Sequence, residues 1–197
     1  MDEDKILVLL LLDLSPAFDT IDHQILSRLA LQWFRSYLLD RNRSNVVNNS
    51  ASSLSPLMFG VPQGSVLGPI LFVLYTTPLS DIIASHSVNY QLFANHTQLQ
   101  KSTLPNDLQS LTRDLQLCTD DMKSWMCSNQ LKLNEDKTEA ILFSTHSLPS
   151  DRLPSSVTVG THQIAFSDKV RNLGFILDSN LTMKQQDIKS VRALTMN

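Results

Sequence analysis

Apolar residues run without a break over positions 6–12, "ILVLLLL". A short continuous run of this kind predicts a strand covered on both faces. After "DLSPAFDTIDH" a helix is expected over 20–30, with Asp19 or Thr20 capping its free N–H groups. A second helix is expected over 31–39, carrying Trp33, Phe34 and Tyr37. "RNRSNVVNNSASSLSP" is polar and rich in Ser and Asn, which predicts a loop or a weak hairpin. "GVPQGSVLGP", residues 60–69, holds three glycines and two prolines, and "ILFVLYTTPLSDIIA" behind it predicts a buried helix entered through Pro69.

"NYQLFANHTQLQ", residues 89–100, predicts two short strands with Ala94, Asn95, His96 and Thr97 at the tip. Over 105–130, Leu108, Leu111, Leu115, Cys118, Met122, Trp125 and Met126 recur at helical spacing, which predicts one amphipathic helix whose apolar stripe is core. "LKLN" and "TEAILFS" then predict two strands joined at Glu135 and Asp136. "SVTVG" and "VRNLGFIL" predict a small β unit, and the tail from Asp178 is polar and weakly patterned.

A net charge of −3 lacks the basic excess of an autonomous nucleic-acid binder, so any such contact must be local. Cys118 and Cys127 lie nine residues apart in the expected helix, on opposite faces, so no disulfide is expected. The run 6–12 follows an acidic start, ends without a small-residue cleavage site and is far shorter than the roughly 20 residues of a membrane span. An intracellular protein, cytoplasmic or nuclear, with no transmembrane segment is the expectation.

Three places carry candidate chemistry. Asp13 stands where the apolar strand ends, a position from which a carboxylate can hold a hard cation such as Mg²⁺, or simply form a turn or helix cap. Gln63 and Gly64 lie in the Gly-rich loop, where the backbone can approach a flat or charged ligand closely; a purely structural loop reads the same. Lys137, in "LNEDKTE", is either a functional cation or solvated surface.

Taken in order, "LLDLSPAFDTIDH", "WFRSYLLDR", "GVPQGSVLGPILFVLYTTPLSDII", "LKLNEDKTEAILF" and "VRNLGFILDSNLT" resemble the reverse transcriptase of non-LTR (LINE-type) retrotransposons, over nearly the whole chain. The resemblance implies an α/β (α+β) right-hand polymerase palm, a mixed or antiparallel sheet backed by helices, as an RNA-directed DNA polymerase has. It implies a palm-like unit over 1–145, a small β unit over 146–181 that corresponds to the primer-grip region, and a polar tail over 182–197. Asp13 would be the first metal carboxylate and Phe18 the gate against a ribose 2′-OH. Gln63 and Gly64 would lie against incoming nucleotide and template, Lys137 would approach the triphosphate as proton donor to the leaving pyrophosphate, and Leu173 and Gly174 would fall in the hairpin that grips the primer. Mg²⁺, a template-primer of RNA or DNA, and dNTP are the implied cofactor and partners.

At Phe93-Ala94-Asn95-His96 the family has an aromatic residue, alanine and two aspartates, and this chain has neither aspartate. Nucleotide transfer needs two divalent ions about 3.5–4 Å apart, held by carboxylates. Asp13 alone leaves a weak, incomplete metal site, and His96 suits Zn²⁺ or Cu²⁺ better than Mg²⁺. The resemblance opens at the Asp13 strand and fades past Leu181, so fingers and thumb are expected to be largely absent. The expectation is a retrotransposon-derived reverse transcriptase domain without polymerase activity and without a tightly bound ion. The alternatives are a protein- or RNA-interaction module, with Trp33, Phe34 and Tyr37 as its apolar patch, and an active polymerase completed by another chain.

Overall fold

The structure is a computed structural model that describes residues 5–14, 19, 21–22, 37–38, 40–61, 65–144 and 153–182. Its centre is β1 (Ile6–Leu14), an interior strand of a four-stranded antiparallel sheet that also contains β6 (Asn89–Phe93), β7 (His96–Thr103) and β8 (Leu133–Ser144), in the order β6-β7-β1-β8. Val8, Leu10, Leu12, Leu99 and Ala140 belong to the main core on one side. Leu9, Leu11, Ile141 and Phe143 form a smaller cluster with Val170 on the other. An interior strand covered on both faces needs apolar residues at every position, which is why the run is unbroken. The strand extends two residues past the run, so Asp13 sits inside it.

The main core is closed by α1 (Leu67–Thr76), α2 (Pro78–Ser85) and α3 (Leu108–Ser128), the last entered through a 3₁₀ turn at Pro105–Asp107. The single helix expected through Pro69 is instead two. It begins at Leu67, where Ser65 Oγ accepts the Gly68 N–H at 3.0 Å, and breaks at Thr77, because Pro78 has no N–H and its ring opposes the preceding turn. Hydroxyls of Thr76 and Thr77 donate to the carbonyls of Phe72 and Val73, both at 2.9 Å, and satisfy the end of α1. Leu67–Ser85 is long and apolar enough to cross a membrane by length and composition alone, yet Leu71, Phe72, Tyr75, Leu79 and Ile83 lie in the core. On α3 the stripe is buried as expected at Leu108, Leu111, Leu115, Cys118, Met122 and Met126, while Trp125 is half-buried against the core. Cys118 is buried and Cys127 exposed, both free, and burial pushes the Cys118 thiol up to about 11.

Other expectations change. Ile21 and Asp22 are not helical: the Ile21 carbonyl accepts the Gly60 N–H, and Asp22 bridges Phe59, so the helix expected over 20–30 does not include these two residues. The rest of 20–30, and Trp33 and Phe34, lie outside the described residues. Tyr37 is not an open apolar patch, since its hydroxyl donates to Ser65 Oγ at 2.7 Å and Arg41 stacks 4.3 Å over its ring. The polar stretch after it is a hairpin ribbon, with β2 (Asn42–Arg43) on β5 (Ser55–Pro56) and β3 (Val46–Val47) on β4 (Ser50–Ala51). The expected strands at 131–134 and 138–144 are one strand, β8, carrying a wide bulge. The small β unit is two hairpins, β9 (Ser156–Val159) with β10 (His162–Ala165) and β11 (Lys169–Asn172) with β12 (Phe175–Asp178).

One ionic cluster ties three of these elements together. Glu135, in the bulge of β8, accepts from Lys123 of α3 and lies 2.8 Å from His162 Nδ1 of β10. The Lys123 hydrogen bond holds the Glu135 carboxyl below the usual range, with His162 adding to it. A lowered carboxylate contributes stability above its unfolded pKa of about 4.3 and loses it as pH falls. Glu135→Gln should therefore lower the unfolding free energy read from urea titration at pH 7, by up to about 1 kcal/mol. The gap to wild type should shrink as both are titrated into acid.

Candidate active site

The Asp13 side chain is only 10% exposed, so its charge requires compensation inside the protein. Three neighbours converge on it. Asn95 Nδ2 donates to Oδ1 at 2.8 Å, His96 Nδ1 stands 3.6 Å from the same oxygen, and Lys137 Nζ stands 3.3 Å from Oδ2. Because a carboxylate only accepts, the Asn95 amide must present its NH₂ to Asp13.

Each neighbour is delivered by backbone geometry. The β6–β7 hairpin turns in two residues, Ala94 and Asn95, so His96 is already in the strand and pairs directly with Asp13 across the ladder. The tip is thus tighter than the four residues expected. Ala94 takes φ 50°, a left-handed value that costs an L-residue with a Cβ about 1–2 kcal/mol. The Asn95 carbonyl accepts the Leu14 N–H at 2.9 Å, which fixes the turn against the end of β1. On the other side, Asp13 pairs with Asn134 and Leu11 with Glu139, so residues 135–138 bulge opposite Leu12 alone. Thr138 Oγ1 donates to the Asn134 carbonyl at 2.9 Å and closes the bulge. That extra length carries Lys137 round to Asp13.

The β11–β12 hairpin borders the same face. Gln98 Nε2 donates to Asn172 Oδ1 at 2.8 Å, and the Arg171 N–H donates to Glu139 Oε2 at 3.1 Å. Asp13, His96, Gln98, Lys137, Arg171 and Leu173 line a cleft of about 180 Å³. Leu173 and Gly174 form the hairpin turn, both at positive φ, 46° and 90°. Asp13, Asn95, His96, Lys137 and Leu173 are therefore gathered at one place, with Gly174 beside them. Phe18, Gln63 and Gly64 lie outside the described residues. Gln98, Glu139, Arg171 and Asn172 were not singled out from the sequence. The period-two alternation that puts Gln98 on the face of His96 is the signal that would have found the first.

The donor set does not fit a pair of divalent ions. Among the described residues no three His, Cys, Asp or Glu side chains cluster as metal ligands. Both oxygens of the one central carboxylate face protein groups, and an NH₂ aimed at an oxygen has the polarity opposite to a ligand.

Residues 1–177 match the reverse transcriptase (RNA-dependent DNA polymerase) family, whose members generally use divalent metal ions. Similar curated proteins include the RNA-directed DNA polymerase from mobile element jockey of Drosophila funebris, 27% identical over 188 residues. The probable RNA-directed DNA polymerase from transposon BS of Drosophila melanogaster is 28% identical over 186. These alignments cover 88% and 87% of this chain, which spans 20% of either relative. A telomerase structure from Candida tropicalis superposes with a TM-score of 0.53 at 14% identity, over 90% of this chain and 35% of that one, a likeness of fold.

The geometry predicts which contact matters most. Asn95→Ala should destabilise by about 1–3 kcal/mol, since it strips a hydrogen bond from a buried charge. Lys137→Met, at a side chain 67% exposed, should cost less than about 1 kcal/mol. Urea titrations in a double-mutant cycle with Asp13→Ala would measure both couplings. The antiparallel sheet, its helical backing and the match over 1–177 agree with the resemblance seen in the sequence: the chain belongs to the reverse transcriptase family and has a palm-like α/β fold, with curated relatives among the polymerases of non-LTR mobile elements.

Proposed function

We propose that this chain is a reverse transcriptase palm without nucleotide transfer. The observation that carries the reading is the 2.8 Å hydrogen bond from Asn95 to Asp13, an amide donor standing where the family resemblance calls for a metal-binding carboxylate. Transfer of a nucleotidyl group relies on positioning and on stabilising charge at the phosphates, which two bridging ions normally supply. The corner here has one carboxylate whose charge is met by an amide and an ammonium, so it holds no divalent pair, and Mg²⁺ has at most a weak place at Asp13.

The remaining roles follow the same reading. Lys137, at 3.3 Å from Asp13, acts as counter-ion rather than as proton donor to a leaving pyrophosphate. Leu173 and Gly174 retain the turn of a primer-grip hairpin, within a small β unit over 146–181 that leans on a palm-like unit over 1–145. Phe18, Gln63 and Gly64 keep the family's nucleotide-facing residue types. Template-primer of RNA or DNA is the partner class that the family supports, as a bound ligand rather than a substrate.

Primer extension on an RNA template with Mg²⁺ or Mn²⁺ is the test. The wild-type chain should give no more product than Asp13→Ala. Template-dependent extension above that control would overturn the reading.

A further inference from the structure

The sheet has two edges, and they differ. At the β8 edge, Ala140 bridges Phe166, the Ser167 N–H donates to the Ala140 carbonyl at 2.9 Å, and Glu139 accepts from Arg171. The β6 edge has no such cover: among the described residues β6 is paired to β7 alone.

The register identifies the open groups. A two-residue hairpin makes Phe93 and His96 a hydrogen-bonded pair, and alternation then gives Gln91 with Gln98 and Asn89 with Gln100. The far side of β7 agrees, since the Asn95 carbonyl points to β1 and accepts from Leu14. Tyr90 and Leu92 therefore turn their N–H and C=O groups outward. Their side chains are half-buried against the main core, so they do not cover their own backbone. Natural edges are guarded by Lys, Pro, a bulge or inward charge, and "NYQLF" has none of these.

A row of alternating donors and acceptors at strand pitch is matched by another extended backbone, not by phosphates or bases. The strand is uncharged, so it selects neither an acidic nor a basic partner, and it is complementary to itself. Antiparallel pairing about Gln91 sets Tyr90 opposite Leu92 of the second copy, and Leu92 opposite Tyr90. That arrangement closes four main-chain hydrogen bonds and keeps Tyr90 and Leu92 on the core-facing side of both sheets. Asn89 then meets the exposed Phe93 of the other copy. We propose that the β6 edge pairs with the same edge of a second copy of this chain, antiparallel about a two-fold axis at Gln91. The contact is isologous and closes at two. It is small beside interfaces of about 1,200–2,000 Å², so the dimer is weak and concentration-dependent.

Sedimentation velocity on the full chain over a wide concentration range tests this. Wild type should move from monomer toward dimer as concentration rises. Gln91 is exposed, and Gln91→Lys or Gln91→Glu brings like charges together on the axis, which should weaken association about tenfold or more. An equimolar mixture of the two variants should recover the dimer through the opposite-charge pair. A wild-type chain that stays monomeric, variants that associate as tightly as wild type, or a mixture no tighter than either variant alone would each overturn the proposal.

Discussion

A carboxylate with a tenth of its surface exposed needs a partner of opposite polarity, and the ends of β1, β7 and β8 are arranged around that need. β1 carries Asp13 inward because its apolar register continues past Leu12. β7 supplies Asn95 and His96 through a turn tight enough to put Ala94 at positive φ. β8 widens by a bulge that returns Lys137 to the second oxygen. A neutral amide and a cation thus supply the compensation from within the protein.

The bulge also serves the opposite side of the molecule. Lys137 goes to Asp13, while Glu135, two residues earlier, goes to Lys123 and His162 and so engages the long helix and the β9–β10 hairpin. Gly160 takes φ 60°, a left-handed value that a residue with a Cβ adopts only with strain, and the end of the Lys123 side chain lies 2.5 Å from where that Cβ would stand. The candidate site and the packing of the small β unit are consequently coupled through four residues of one strand.

How much of this was legible depended on how local its cause was. The buried strand at 6–12, the stripe on α3 and the opposed cysteines follow from periodicity, and the structure repeats them. The break at Pro78 was legible in principle, but the apolar run on both sides of it outweighed the proline. The bulge was not, because "LNEDKTE" looks like a turn between two strands unless the pairing with β1 is known. Asn95 and His96 stood out only by comparison with a family pattern, and the hydrogen bond that Asn95 makes depends on a strand 82 residues away. Gln98 and Asn172 meet across a still different pair of elements, and no short-range pattern announces that contact.

The central claim is that protein groups, not ions, compensate Asp13, and the thermal midpoint in the presence of Mg²⁺ addresses it without reference to activity. An ion that binds the folded state alone raises the midpoint by mass action. The wild-type midpoint should move by less than about 1 °C between chelator and millimolar Mg²⁺, and Asp13→Ala should respond identically. The Asn95→Asp, His96→Asp double variant, which places three carboxylates together, should start lower and climb as Mg²⁺ is added. A wild-type rise of several degrees that disappears in Asp13→Ala would contradict the claim.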